Sequence, residues 1–165
     1  MGMAHTLLFA TERKTAMMGT LTPGEIEEVL ASELLGRVGF IAAGRPYIVP
    51  VNYVYDPESA HVYVHSAEGA KVRAMRANPD VCFEVEQIHD MANWRTVVAR
   101  ATFEELWRDA EERAMDLLKA RLQPCSVSET ALPSRREESR HRSGMARPVL
   151  YRLHLTGKSG RFERT

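Results

Sequence analysis

Among the residues of this chain, His65, Ser66 and Lys71 are the ones whose types and spacing are best suited to chemistry. They lie in YVHSAEGAKVRAMRANP (63–79), where a β-rich run ends in His-Ser, passes a small-residue turn and opens into a segment carrying Lys71, Arg73 and Arg76. A helix starting near Glu68 or Gly69 presents unpaired backbone N–H groups and the positive end of its dipole, with Ser66 offering a hydroxyl and Gly69 admitting close backbone approach. A cation such as Lys71 in the first helical turn is mildly unfavourable unless an anion lies opposite. Two readings fit: a site for a phosphate-like anion, or an ordinary strand-to-helix corner in which Ser66 caps the helix and the three cations face water.

Other constellations are weaker. His61 and His65 flank Tyr63 at strand spacing and so point to one side, as two metal ligands would, but no third ligand is evident and no metal is expected. TGKS at 156–159 resembles the end of a phosphate-binding loop, yet the position that must be glycine is Arg152 and no helix follows. Glu84 and Glu86 alternate with apolar neighbours, as on the solvent face of a strand. Trp94 and Trp107 read as packing residues, although Trp94 sits in HDMANW, a loop that suits contact with a planar ring or a partner subunit.

These residues must be positioned by a fold that 165 residues can build as one domain. Lys plus Arg and Asp plus Glu number 22 each, so no global positive field exists to attract nucleic acid, and any anion site must be local. The only cysteines, Cys82 and Cys125, lack metal-ligand spacing and suggest a reducing compartment; a cytoplasmic location is expected. No apolar run approaches the ~20 residues of a membrane span, and the first residues lack the basic start of a leader, so no membrane association is expected.

TPGEIEEVLASELL reads as an amphipathic helix: Thr22 and Glu25 form a capping box, Pro23 takes the first helical position, and Ile26, Val29, Leu30 and Leu34 share a face. RVGFIAAGRPYIVPVNYVYD predicts a hairpin turning near Gly44, with Pro50 at a bulge or an edge. HVYVHS gives a third strand, DVCFEVEQI a fourth and RTVVARATFEEL a fifth. DAEERAMDLLKARL follows as a helix with a capping box from Asp109 and Glu112, and a last strand shows in the alternation of Val149, Tyr151, Leu153 and Leu155. Residues 1–19 read as a flexible lead-in to a single domain over 20–165, and residues 124–146, which lose apolar periodicity, as a mobile insertion. Six antiparallel strands with flanking helices favour a closed or nearly closed barrel, which removes exposed sheet edges.

In order, LLGRVGFIAAGRPYIVPVNYVYD, VYVHSAEGAKVRAMRANPDVCFEVE and NWRTVVARATFEEL resemble the pyridoxamine 5'-phosphate oxidase-related flavin proteins, most closely the nitroimidazole-resistance-like branch. The match covers roughly residues 22–122 plus the last strand. This resemblance implies a mainly β, six-stranded split β-barrel, a homodimer with FMN at the subunit interface, and a small-molecule substrate. It places Pro50, Val51, Asn52 and Tyr53 along the flavin ring, and His65, Ser66, Ala67 and Lys71 around the phosphate and ribityl chain. It also places Trp94, Arg95 and Thr96 at the ring or its partner-subunit contacts, Arg37 as a further phosphate ligand, and His65 as a proton donor beside the flavin. The basic residues that the vitamin-metabolising oxidases carry near their C-terminus for substrate phosphate have no counterpart here. The implied function is an FMN-dependent oxidoreductase acting on a small molecule. The alternative is a non-enzymatic flavin or haem binder on the same barrel, with FAD, haem or a deazaflavin in place of FMN.

Overall fold

The structure, a computed structural model, describes residues 15–125 and 147–165; the expected lead-in up to residue 14 and the insertion from residue 126 lie outside them. The element order is β1 (Met17–Thr20), α1 (Pro23–Ser32), β2 (Leu35–Ala42), β3 (Arg45–Asp56), β4 (His61–Ala67), α2 (Ala70–Ala77), β5 (Asp80–Asp90), β6 (Asn93–Glu105), α3 (Asp109–Leu122) and β7 (Pro148–Arg164).

All pairings are antiparallel, and the order β7-β4-β3-β2-β5-β6 closes on itself because β6 also pairs with β7. Six strands therefore make the split barrel, and β1 adds a seventh along the outer end of β7, from Met17 opposite Arg164 to Thr20 opposite Arg161. This strand begins inside the stretch read as a lead-in. MMGT has no alternating burial to betray it, and it is held through backbone pairing to a neighbour far away in sequence. The last strand is likewise longer than its alternation, running past Leu155 to Arg164 through two glycines. At Gly160 a Cβ would lie 2.7–3.0 Å from the Leu21 side chain, so only glycine lets Leu21, between β1 and α1, lie against β7.

Local sequence builds most of the rest. The β2–β3 turn has two residues at positive φ, Ala43 at 49° and Gly44 at 74°, the combination whose twist matches a two-residue hairpin. Thr22 and Glu25 form the expected box, Thr22 N–H donating to the Glu25 carboxylate at 2.7 Å and Glu25 N–H to Thr22 Oγ1 at 3.3 Å. The box expected for α3 is absent: its cap is Arg108, at φ 54°, and no side chain bonds the helix start.

The barrel interior is filled by Val38, Phe83, Val85, Val97, Tyr151 and Leu153, with Val29 and Leu30 of α1 and Val72 and Met75 of α2 packed into the same cluster. A second cluster seats α3, through Met115, Leu118 and Leu122, on the outward faces of β4 and β7 at Tyr63 and Leu150. Polar contacts fix α1 as well. Tyr53 Oη donates to the Leu30 carbonyl at 2.8 Å, Tyr55 Oη to Glu27 at 2.6 Å, and Arg121 of α3 donates to the Ala31 and Ser32 carbonyls at 3.0 and 2.9 Å, completing the helix C-terminus. Lys158 of β7 pairs with Glu27.

Candidate functional site

The site forms where two neighbouring strands part. β3 and β4 pair from Asp56 opposite His61 up to Tyr53 opposite Val64. Beyond that rung β3 stays with β2, pairing Asn52, Val51 and Pro50 to Leu35, Gly36 and Arg37, whereas β4 follows β7, pairing His65, Ser66 and Ala67 to Leu150, Val149 and Pro148. The three rungs that would have come next are therefore pulled open into a cleft of about 210 Å³, lined by those six residues with Lys71 of α2 and Leu122 of α3. Pro50 sits on the edge of β3 with no ladder partner on the cleft side, which is where a residue lacking an N–H is harmless.

The corner between β4 and α2 brings charge to this opening. Ser66 is buried and its hydroxyl donates to the Ala67 carbonyl at 3.1 Å, so it is not the helix cap. Gly69 caps α2 through its backbone; no side chain bonds the first turn, which holds no acidic residue, and the first N–H to bond back is that of Arg73, to the Gly69 carbonyl at 3.1 Å. Lys71, in that first turn, is half-buried. Loss of hydration on burial pulls its pKa below the ordinary lysine value, and no hydrogen bond or ion pair opposes this among the described residues. Six other cations have found a carboxylate: Arg37, Arg76, Arg95, Arg147, Arg152 and Lys158 are all ion-paired. His65, half-buried, brings an imidazole to the same cleft.

The other residues singled out from sequence fall elsewhere. Tyr53 is fully buried, its ring edge-on to Phe83 at 4.9 Å, and burial pushes its phenol pKa up; it secures the last rung before the split and does not line the cleft. Arg37 is engaged by Glu84 at 3.0 Å and Glu86 at 2.7 Å, which also gives those two outward glutamates a partner. Thr96 donates to Glu84 at 3.2 Å. Trp94 and Arg95 line a separate cleft of about 250 Å³ with Leu21, Phe162 and Glu163. Trp94 lies within β6 rather than in a loop and donates Nε1–H to Glu163 at 3.1 Å, and Arg95 grips Glu28 at 3.1 and 3.2 Å and Gln87 at 2.8 Å. One chain thus brings together seven of the twelve residues, and Leu122 joins them unforeseen: its sequence signal, the end of an apolar helical face, gives no hint of a cleft.

His61 faces His154 across β4 and β7, ring centres 5.0 Å apart, with Nδ1 buried and lacking a partner. No group of three or more metal-ligating side chains exists among the described residues.

Comparison with known proteins agrees with this architecture. An FAD-binding protein from Mesorhizobium loti is 27% identical and superposes with a TM-score of 0.72 over 92% of this chain and 100% of that one. A candidate 5-nitroimidazole antibiotic resistance protein from Bacteroides thetaiotaomicron, 16% identical, shares the fold at a TM-score of 0.67 over 91% of this chain and 92% of its own. An uncharacterized protein of Rhizobium meliloti is 30% identical over 82 residues, which is 50% of this chain, so the match spans about half (53%) of that curated relative. The family model described as pyridoxamine 5'-phosphate oxidase matches residues 22–162, and with the split barrel and its cleft in place the chain belongs to that family.

Proposed function

We propose that the cleft between β3 and β4 holds the phosphate end of FMN and that the protein is a homodimeric, FMN-dependent oxidoreductase of a small molecule. The observation that carries this reading is Lys71: a half-buried ammonium without a carboxylate, in a cleft with the Ser66 hydroxyl and beside a helix start that no side chain caps. Left alone, such a charge is costly; a phosphate opposite it supplies the missing partner. The similarity to an FAD-binding protein supports a flavin as the molecule bearing that phosphate.

The cleft of one chain, at about 210 Å³, is below the roughly 300–1,000 Å³ of sites that enclose a drug-sized ligand. It suits a phosphate and part of a ribityl chain, and the ring must lie against another surface. The outward face of the sheet next to the cleft carries exposed apolar side chains, Leu35, Ile48 and Val98, around the Arg37–Glu84 ion pair. Leu35 stands opposite Asn52, Gly39 lies between Ile48 and Cys82, and Val98 shares a row with Pro50, Arg37 and Glu84. Ile48 is 71% exposed and Leu35 54%, a patch that a second copy of the chain covers in this reading.

A flavin held here would supply the redox chemistry, the transfer of a hydride or an electron pair between donor and substrate. The protein does the rest. Lys71 and Ser66 would anchor the phosphate, Asn52 and Val51 lie along the opening, and the exposed Leu35, Ile48 and Val98 would help exclude water from the ring. His65 brings an imidazole into the cleft, a group that can deliver a proton there. Anaerobic addition of a nicotinamide donor to the FMN-loaded protein is expected to bleach the flavin band, and air to restore it. A loaded protein that no donor reduces would be a flavin carrier.

A further inference from the structure

Glu68 is placed where it should spoil the anion site. It stands three residues before Lys71 and immediately ahead of Gly69, the cap of α2. A carboxylate there is drawn both to the helix N-terminus and to an ammonium three residues on. Yet Glu68 makes neither contact: Arg76, in the last turn of the same helix, grips it with two parallel bonds, Nη1 to Oε1 and Nη2 to Oε2, each 2.8 Å. The grip holds its carboxyl below the usual carboxylate range.

Arg76 is itself braced. Its Nε donates to Glu105 at 2.6 Å, and Glu105, whose side chain is only 8% exposed at the end of β6, also accepts from Arg147 at 3.1 Å. The Arg147 carbonyl in turn accepts the Glu68 N–H at 2.7 Å. The backbone and the carboxylate of Glu68 are thus both fixed, from β6, α2 and Arg147 just ahead of β7.

We propose that Arg76 is a positioning residue that withholds the Glu68 carboxylate from Lys71 and the start of α2, and so keeps the anion site open for a flavin phosphate. This rests on the phosphate reading of the cleft. Without the Arg76 fork, Glu68 swings to Lys71 and competes with the ligand from within the chain.

The test is FMN and riboflavin titration of the full-length protein and three variants. Arg76→Met is expected to weaken FMN binding by about tenfold or more, the effect of setting a charged hydrogen bond against the ligand's own, with riboflavin binding unchanged. Glu68→Gln alone changes little, and Arg76→Met/Glu68→Gln recovers FMN affinity to near the wild-type value. A purely structural Arg76 gives no such recovery, because the double variant then stays as weak as Arg76→Met. That result, or an Arg76→Met variant with undiminished FMN affinity, overturns the proposal. If Arg76→Met loses its fold, Arg76→Lys keeps the charge without the two-pronged grip and is read with the same Glu68→Gln rescue. A wild-type protein that does not prefer FMN to riboflavin would instead remove the phosphate reading itself, before Arg76 is in question.

Discussion

Lys71→Met is expected to weaken FMN binding by roughly 10- to 150-fold, the equivalent of the ~1.5–3 kcal/mol carried by a hydrogen bond to a charged group, and to leave riboflavin binding nearly unchanged. Methionine keeps the length and most of the apolar stem, so the helix and its packing through Val72 and Met75 persist while the charge disappears. The same substitution should stabilise the protein without ligand. Burial lowers the folded-state pKa of Lys71, so the folded chain binds its proton less well than the unfolded one, and this penalty is fully present below the folded pKa. It is relieved as pH rises from the folded pKa towards the ordinary value of 10.5. Melting curves of wild type and Lys71→Met, compared without flavin, should therefore differ most near neutral pH and converge in alkali. FMN affinity runs the other way and falls as pH rises through the lowered Lys71 pKa. Equal FMN affinity in wild type and variant would remove Lys71 from the site.

The second large effect is expected at Ile48. Its side chain is 71% exposed on the outward face that adjoins the cleft, in register with Gly39 of β2. In the proposed two-fold dimer each substitution would occur twice, so losing one Ile buried there per copy would remove about 2 × 1.5–3 kcal/mol, or roughly 10²- to 10⁴-fold in association. A desolvated aspartate adds to the cost. Ile48→Asp should thus be a folded monomer at micromolar concentration where the wild type is expected to scatter light as a dimer, and it should lose FMN on desalting if the proposed partner surface holds the ring. A wild-type monomer that retains FMN in full would contradict the shared site. So would an Ile48→Asp dimer.

Much of the site was legible in the chain because its signals are local. The β4 end, the small-residue turn and Lys71 fall within seven consecutive residues, and the Thr22–Glu25 box and the Ala43–Gly44 hairpin are set by neighbours in sequence. What escaped depends on distant partners. Whether Arg37 and Arg95 are free or paired is decided by Glu84, Glu86 and Glu28, and nothing near either arginine in sequence reveals it. Strand β1 exists only because β7 extends far enough to pair with it. The cleft itself arises from a divergence of β3 and β4 that each strand's own alternation does not record, and Leu122 reaches it only because α3 packs across β4 and β7.

The most direct test of the flavin-phosphate site is the visible spectrum of the purified protein after incubation with FMN or with riboflavin and removal of excess by desalting. A flavin band retained with FMN and largely lost with riboflavin is the expected result. Equal retention of both, or a colourless protein after either, would contradict a cleft built around a phosphate.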